Sequence, residues 1–293
     1  MSSKINPITH LPFTLKLRSI AVAGIISITG ALLGCQSLPE ANDQLDAVLW
    51  TQTSIEHEIA YRQVFLSATR QLDTALSTPN WDALPIAPRS LKNLPPAVVV
   101  DIDETLLDNT PLNARDIINN QTYSYNRWNK WVNEANAQAL PGAVDFLNEV
   151  DKRGITIYYL TNREHSQVSA TLNNLRRRGF PIYNAEQILA ASTPTGHCEA
   201  AGYNKTCRRQ WVANHARVLM LVGDSFGDFV KAKPHTLEAQ REAAAPYIQW
   251  LGQRWFILPN PTYGDWYSAP YNDQDSLPAS QKRKLKQHAL DLQ

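Results

Sequence analysis

The run Ala97-Val98-Val99-Val100-Asp101-Ile102-Asp103 constrains the fold of this chain more than any other stretch. A short β-branched run without polar alternation suits a strand buried on both faces, as in parallel sheets covered by helices. Comparable runs follow at 155–160, 217–222 and 255–258. Helical stretches lie between them. Residues 141–154 begin with Pro, carry apolar Ala143, Val144, Phe146, Leu147 and Val150, and end with Gly. A basic-ended helix follows at 164–178 and another at 205–213. This alternation predicts an α/β fold: a Rossmann-like parallel sheet with helices on both faces. Hydrophobic content of 43% and charged content of 19% supply a packed core and argue against global disorder.

Two segments break that rhythm. In 45–76 the apolar residues Val48, Leu49, Ile55, Ile59, Phe65, Ala68, Leu72 and Leu76 recur at helical spacing. They predict one or two amphipathic helices, so 47–96 is expected to be a helical segment contributing to a cap. Five prolines between Ser77 and Pro96 end the pattern. The second segment, about 108–140, holds eight Asn with Tyr123, Tyr125, Trp128 and Trp131. It follows the first strand directly. An insertion there would hang over the carboxyl ends of the strands, as a smaller helical lid. The core is then 97–268 and the tail 269–293, where Lys282-Arg283-Lys284-Leu285-Lys286 reads as a solvated helix end.

The first 34 residues read as a targeting segment. Lys4, Lys16 and Arg18 precede an uncharged apolar run from Ser19 to Gly34, the length of a signal-peptide core and short for a membrane span. It ends Leu32-Leu33-Gly34-Cys35, similar to a bacterial lipobox with Cys35 as the lipidated residue. Residues 1–34 are then a lipoprotein signal peptide and 35–46 a tether. Gln36 after the Cys resembles the pattern sent to the outer membrane in enteric-type bacteria. Membrane association through Cys35 and an exported location are the expectations. Removing the leader leaves 25 basic against 27 acidic residues, so no nucleic-acid surface is implied. Cys198 and Cys207 remain as an even pair, compatible with a disulfide in an oxidising compartment or with two free thiols.

The polar residues that end the strands carry the chemistry. Asp101 and Asp103 end the first strand, Thr161 and Asn162 the second, and Asp224 the third. Residues two apart on a strand point the same way, so Asp101 and Asp103 are able to share one crevice. Two buried acids repel. A hard cation between them, with Asp224 as a third carboxylate, makes an oxygen-only Mg²⁺ site.

These residues bear a resemblance. Asp101-Ile102-Asp103-Glu104-Thr105, Thr161, Lys205 and Gly223-Asp224 with Asp228 look like the four motifs of the haloacid dehalogenase superfamily. More closely, the chain resembles the class C, lipoprotein-type bacterial acid phosphatases. That match takes in Asp101 to Asn109, Pro141-Gly142-Ala143-Val144, Thr161-Asn162-Arg163, Gly223 to Phe229, Leu258-Pro259-Asn260, Tyr263-Gly264 and Trp266. The resemblance implies that Asp101 attacks phosphorus and forms an aspartyl phosphate. Asp103 protonates the leaving alcohol and then activates water, and its backbone carbonyl also serves the metal. Thr161, Asn162 and Lys205 bind the phosphate, and Asp228 orients metal waters or Lys205 from behind. Position 227 is Gly, where close relatives often carry a further Asp.

Aromatic phosphates and nucleoside 5′-monophosphates, including nicotinamide mononucleotide, are the substrates the resemblance implies. Trp128, Trp131 and Tyr263, with Tyr123, Tyr125 and Trp266, are either stacking residues for an aromatic leaving group or core of the lid. The class B type of exported acid phosphatase, a phosphotransferase, and a non-catalytic phospho-ligand binder or adhesin stand as alternatives. A homo-oligomer is left open.

Overall fold

The computed structural model describes residues 42–293 except 87, 192 and 197–203. The expected leader, Cys35, the first part of the expected tether and Cys198 lie outside the described residues.

The central strand β1 (Pro96–Val100) is the valine run itself. The other elements are α1 (Leu45–Thr53), α2 (Ile55–Ser77), β2 (Leu107–Asp108), α3 (Thr110–Ile118), α4 (Tyr125–Glu134), β3 (Gln138–Ala139), α5 (Ala143–Lys152), β4 (Thr156–Leu160), α6 (Val168–Arg177), β5 (Ile188–Leu189), α7 (Thr206–His215), β6 (Arg217–Gly223), α8 (Leu237–Ala244), β7 (Trp255–Ile257), α9 (Asp265–Ser268) and α10 (Ala279–His288). Five strands form one parallel sheet in the order β5-β4-β1-β6-β7. Val99 pairs with Tyr158 on one side and Leu221 on the other. Alternate residues of β1 go to opposite faces, as a pleated strand requires. Val98 and Val100 join Phe65, Phe146 and Leu147 in one core. Ala97 and Val99 join Val212, Ala213 and Trp255 in the other. Helices thus cover both faces, and the expected α/β architecture is present.

The N-terminal segment divides its duties. The stripe Tyr61, Phe65, Ala68, Leu72 and Ala75 is buried, and α2 packs on α5 and on β6 and β7, with the Phe65 and Phe146 rings 5.5 Å apart. Within this segment it is α1 that packs on the insertion, against α3. The segment expected to build the cap is therefore mostly core, because the stripe on α2 is wide enough to cover a sheet face. The proline-rich stretch is tied down as well: Trp81 donates from its indole to Leu219 O at 2.8 Å, and the Ala83 carbonyl accepts from the Trp255 indole at 2.8 Å.

The insertion leaves and re-enters the core through a two-stranded antiparallel ribbon, β2 with β3. Between them α3 and α4 fold, and α4 packs on α6. The edge strand β5 has two residues and leaves no periodic signal in the sequence. In the tail, α10 sets Lys286 Nζ 3.2 Å from the Tyr267 ring centre. Among the described residues no helix is long and apolar enough to cross a membrane.

Candidate active site

The three central strands stop at one level, and their next residues converge. Asp101 extends the ladder by one bond, its amide donating to Val222 O at 2.9 Å. Its carboxylate is buried; Oδ1 accepts from the Lys205 ammonium and Oδ2 from the Thr105 hydroxyl at 3.2 Å. The Thr105 hydroxyl lies closer to Asp224 Oδ1, at 2.8 Å, and Asp224 Oδ2 accepts from Asn260 Nδ2 at 2.8 Å. Lys205 caps the start of α7 and is buried, donating also to Asp228 Oδ1 at 2.6 Å. The second Asp228 oxygen accepts from the Ser225 amide at 3.0 Å. Gly223 makes this possible: a Cβ there would lie 2.6 Å from Asp228 Cβ. Oxygens of Asp101, Asp224 and Asp228 lie within 4.8 Å of one another.

Charge governs this cluster. Two carboxylates, Asp101 and Asp228, pair with the Lys205 ammonium and Asp224 lies beside them, an excess of two negative charges when all three are ionised. Burial raises Asp101 most; Lys205 pulls it back, Asp228 and Asp103 push again, and it ends at about 7. Asp224 is held well above the usual carboxylate range by burial and then by Asp101 and Asp228. Burial alone would lower Lys205, but Asp101 and Asp228 outweigh it and hold the ammonium charged. An all-oxygen set with this excess fits a hard divalent cation, which would remove the repulsion.

Asp103 sits beside the cluster rather than in it. Its carboxylate accepts from Arg163 Nη2 at 2.7 Å and Nε at 3.0 Å, and from Asn109 Nδ2 at 2.9 Å. Thr161 Oγ1 lies 3.3 Å from its other oxygen. The expectation that the Asp103 side chain joins Asp101 and Asp224 as a metal ligand is corrected here. The two-apart alternation of a strand ends at Val100, and the chain curls over through Glu104, whose φ of +56° is held by Leu107 O and by the Tyr61 hydroxyl on its carbonyl at 2.6 Å. That curl turns the Asp103 carboxylate towards Arg163.

Thr161 is fully buried after β4, its amide bonded to Leu189 O. Asn162 is exposed, and its Oδ1 accepts from Arg208 Nη2 at 2.8 Å. Trp131 is corrected as a stacking residue: it is buried, and its indole N–H is spent on Asn109 Oδ1 at 2.8 Å. Trp128 lies under the Arg163 guanidinium, 5.6 Å away. Tyr263 keeps an exposed ring while its hydroxyl donates to Glu104 Oε2. Tyr123, Tyr125 and Trp266 are exposed. Cys207 is disulfide-bonded and buried at the start of α7.

Four further residues were not assigned from sequence. Arg163 is among the most buried side chains and grips Asp103. Arg208 donates to the Thr161 carbonyl and to Leu189 O at 3.1 Å, and burial lowers it to about 10. Arg209 donates to Gly227 O and Asp228 O at 3.0 and 2.8 Å. Glu104 is buried between Tyr263 and the Asn109 amide, pushed well up by burial and by Asp103. The available signal for Arg163 was its place in Thr161-Asn162-Arg163, just after an apolar strand; the others depend on distant partners.

Comparison with known proteins fits this geometry. The sequence model of the HAD superfamily, subfamily IIIB (acid phosphatase), matches residues 33–266. The class C acid phosphatase from Bacillus anthracis has a solved structure that is 33% identical, with a TM-score of 0.74 over 85% of this chain and 96% of that one. A second structure of that enzyme, with tungstate bound, is 32% identical at the same TM-score and coverage. Acid phosphatase 1 of Solanum lycopersicum is 28% identical over 165 residues, 56% of this chain and 57% of that protein. A stem 31 kDa glycoprotein of Glycine max is 25% identical over 165 residues, 56% and 58% of the respective chains. The chain spans a little over half the length of these curated relatives. With the carboxylate cluster at the strand ends and these matches across most of its length, the chain belongs to the HAD superfamily, subfamily IIIB, the acid phosphatases, and to their class C group.

Proposed function

We propose that this protein is a Mg²⁺-dependent phosphatase that hydrolyses phosphate monoesters through an aspartyl phosphate on Asp101. The observation that carries the reading is the Asp101 carboxylate held between the buried Lys205 ammonium and the Thr105 hydroxyl, with Asp224 and Asp228 alongside. Asp101, Asp224 and Asp228 supply oxygen donors for the cation, which when bound offsets the repulsion between a phosphate dianion and an anionic nucleophile. An Asp101 oxygen attacks phosphorus as the ester P–O bond breaks, and the Asp103 carboxyl gives its proton to the departing alkoxide. Water then attacks the aspartyl phosphate, Asp103 takes the proton, and phosphate leaves with Asp101 restored. Lys205 offsets charge on the transferring group, and Thr161 stands at the edge of the same crevice.

Tungstate bound in the Bacillus anthracis relative supports an oxyanion pocket. The expected substrates are aromatic phosphates and nucleoside 5′-monophosphates, with the exposed Tyr263 ring and Trp128, beside Arg163, as the candidate stacking rings. The leader and Cys35 support export as an outer-membrane lipoprotein; Cys35→Ala releasing the protein from the membrane fraction is the matching test. For the chemistry, p-nitrophenyl phosphate hydrolysis is measured with Mg²⁺, with chelator, and in Asp101→Asn. Activity is expected only in the wild type with metal. Hydrolysis by Asp101→Asn at the wild-type rate would sink the covalent mechanism.

A further inference from the structure

Asp265 has no role in the chemistry above, yet its carboxylate reaches into the loop joining Asp224 to Asp228. Its Oδ2 accepts from the Ser225 hydroxyl at 2.7 Å and from the Gly227 amide at 2.5 Å. Ser225 Oγ accepts in return from the Asp265 amide at 3.4 Å. The loop is a single tight turn, Phe226–Asp228, closed from inside by Asp228 on the Ser225 amide. Asp265 closes it from outside.

Gly227 is best understood through this contact. Its φ is not in the left-handed region, so the backbone has no need of glycine. A Cβ at 227 would lie 3.0 Å from Asp265 Oδ2 and 3.7 Å from its Cγ. The Asp265 carboxylate therefore fills the space where a side chain at 227 would begin. Asp265 is itself anchored. Its carbonyl accepts from His235 Nε2 at 3.1 Å and Gln240 Nε2 at 3.3 Å, and His235 Nδ1 lies 3.5 Å from Oδ1. His235 Nδ1 is also 3.2 Å from Asp273. The grip on the loop thus comes from a braced segment, α9 and the residues packed on it.

We propose that Asp265 is a positioning residue for the cation site: it occupies the place of a side chain at 227 and fixes Asp224 and Asp228 relative to each other. This rests on the reading that Asp101, Asp224 and Asp228 hold a divalent cation. Carboxylates that brace metal ligands from behind set both ligand orientation and local charge. The loop has no other side-chain carboxylate acceptor for the Ser225 hydroxyl or the Gly227 amide among the described contacts.

The test is Mg²⁺ binding by calorimetry and by the metal-induced rise in Tm. The proteins compared are the wild type, Asp265→Ala, Asp265→Asn and the double variant G227D/D265G, with circular dichroism as the check on folding. Asp265→Ala is expected to weaken Mg²⁺ binding about 10- to 100-fold. Asp265→Asn is expected to weaken it less, since an amide oxygen still accepts. The double variant, which returns a carboxylate from the other side of the contact, is expected to recover most of the loss. Unchanged Mg²⁺ affinity in folded Asp265→Ala and Asp265→Asn overturns the proposal, as does a fall in metal-free Tm with affinity intact. If Asp265→Ala does not fold, Asp265→Asn and the double variant decide. A double variant no better than Asp265→Ala overturns the spatial equivalence. A wild type that binds no Mg²⁺ overturns the cation site and this proposal together, a result distinct from all the others.

Discussion

Arg163 meets Asp103 with two nitrogens, Nη2 at 2.7 Å and Nε at 3.0 Å from Oδ1, and is itself almost wholly buried. Its remaining nitrogen is anchored on Thr171 Oγ1 at 3.0 Å. A guanidinium fork fixes the plane of a carboxylate as well as its place. Asp103 is thereby aimed before substrate arrives.

If that aim matters to proton delivery, its loss should depend on the leaving group. Arg163→Lys keeps the charge and loses the fork. It is expected to lower kcat about 10²-fold for alkyl phosphates, the scale of general-acid catalysis. For p-nitrophenyl phosphate, whose phenolate departs unprotonated, the loss should be smaller by about tenfold. Equal losses across leaving groups would show that Arg163 serves only the fold.

Gly223 gives a second test. A Cβ at that position would lie 2.6 Å from Asp228 Cβ and 2.7 Å from its Cγ, so Gly223→Ala must move the Asp228 carboxylate off Lys205. Displacements of this size in a catalytic cluster cost about 10² in rate. The variant should keep its circular dichroism spectrum and lose kcat on that scale, measured at saturating metal.

Acidity and metal should compete. Asp101, at about 7, and Asp224, well above its usual range, hold protons in the metal-free fold that the unfolded chain loses near about pH 4. The contribution of Asp101 to metal-free stability is full below that pH and is lost as pH rises through about 7, while that of Asp224 is lost only as pH rises through its own raised range. A divalent cation needs these groups ionised. The Mg²⁺-induced rise in Tm is therefore expected to grow between about pH 5 and pH 7.5. A rise independent of pH in thermal melts would count against these carboxylates as the metal donors.

Tyr263 separates bracing from stacking. Its hydroxyl donates to the buried Glu104 carboxyl, so Tyr263→Phe leaves that oxygen unpartnered at a cost of about 1–3 kcal/mol, readable in denaturant melts. The ring survives in Phe. KM for aromatic phosphates should then stay near the wild-type value, and rise in Tyr263→Ala more for aromatic than for alkyl esters.

The sequence by itself determined the sheet and the points where it stops. Strands β1, β4 and β6 are built round the apolar runs 97–100, 157–160 and 218–222, each followed within two residues by a polar one, and a run of neighbours is enough to specify a strand buried on both faces. Asp101, Thr161 and Asp224 were legible for that reason. Tertiary structure decided where each side chain finally bonded. It turned Asp103 from the carboxylate cluster to Arg163, sank Trp131 against Asn109, laid α2 on the core and brought Asp265 to Gly227. These partners lie far apart in the chain or depend on a left-handed residue such as Glu104. Periodicity reports only what neighbours along the chain share, whereas a buried charge takes its partner from whatever packing brings within hydrogen-bond reach.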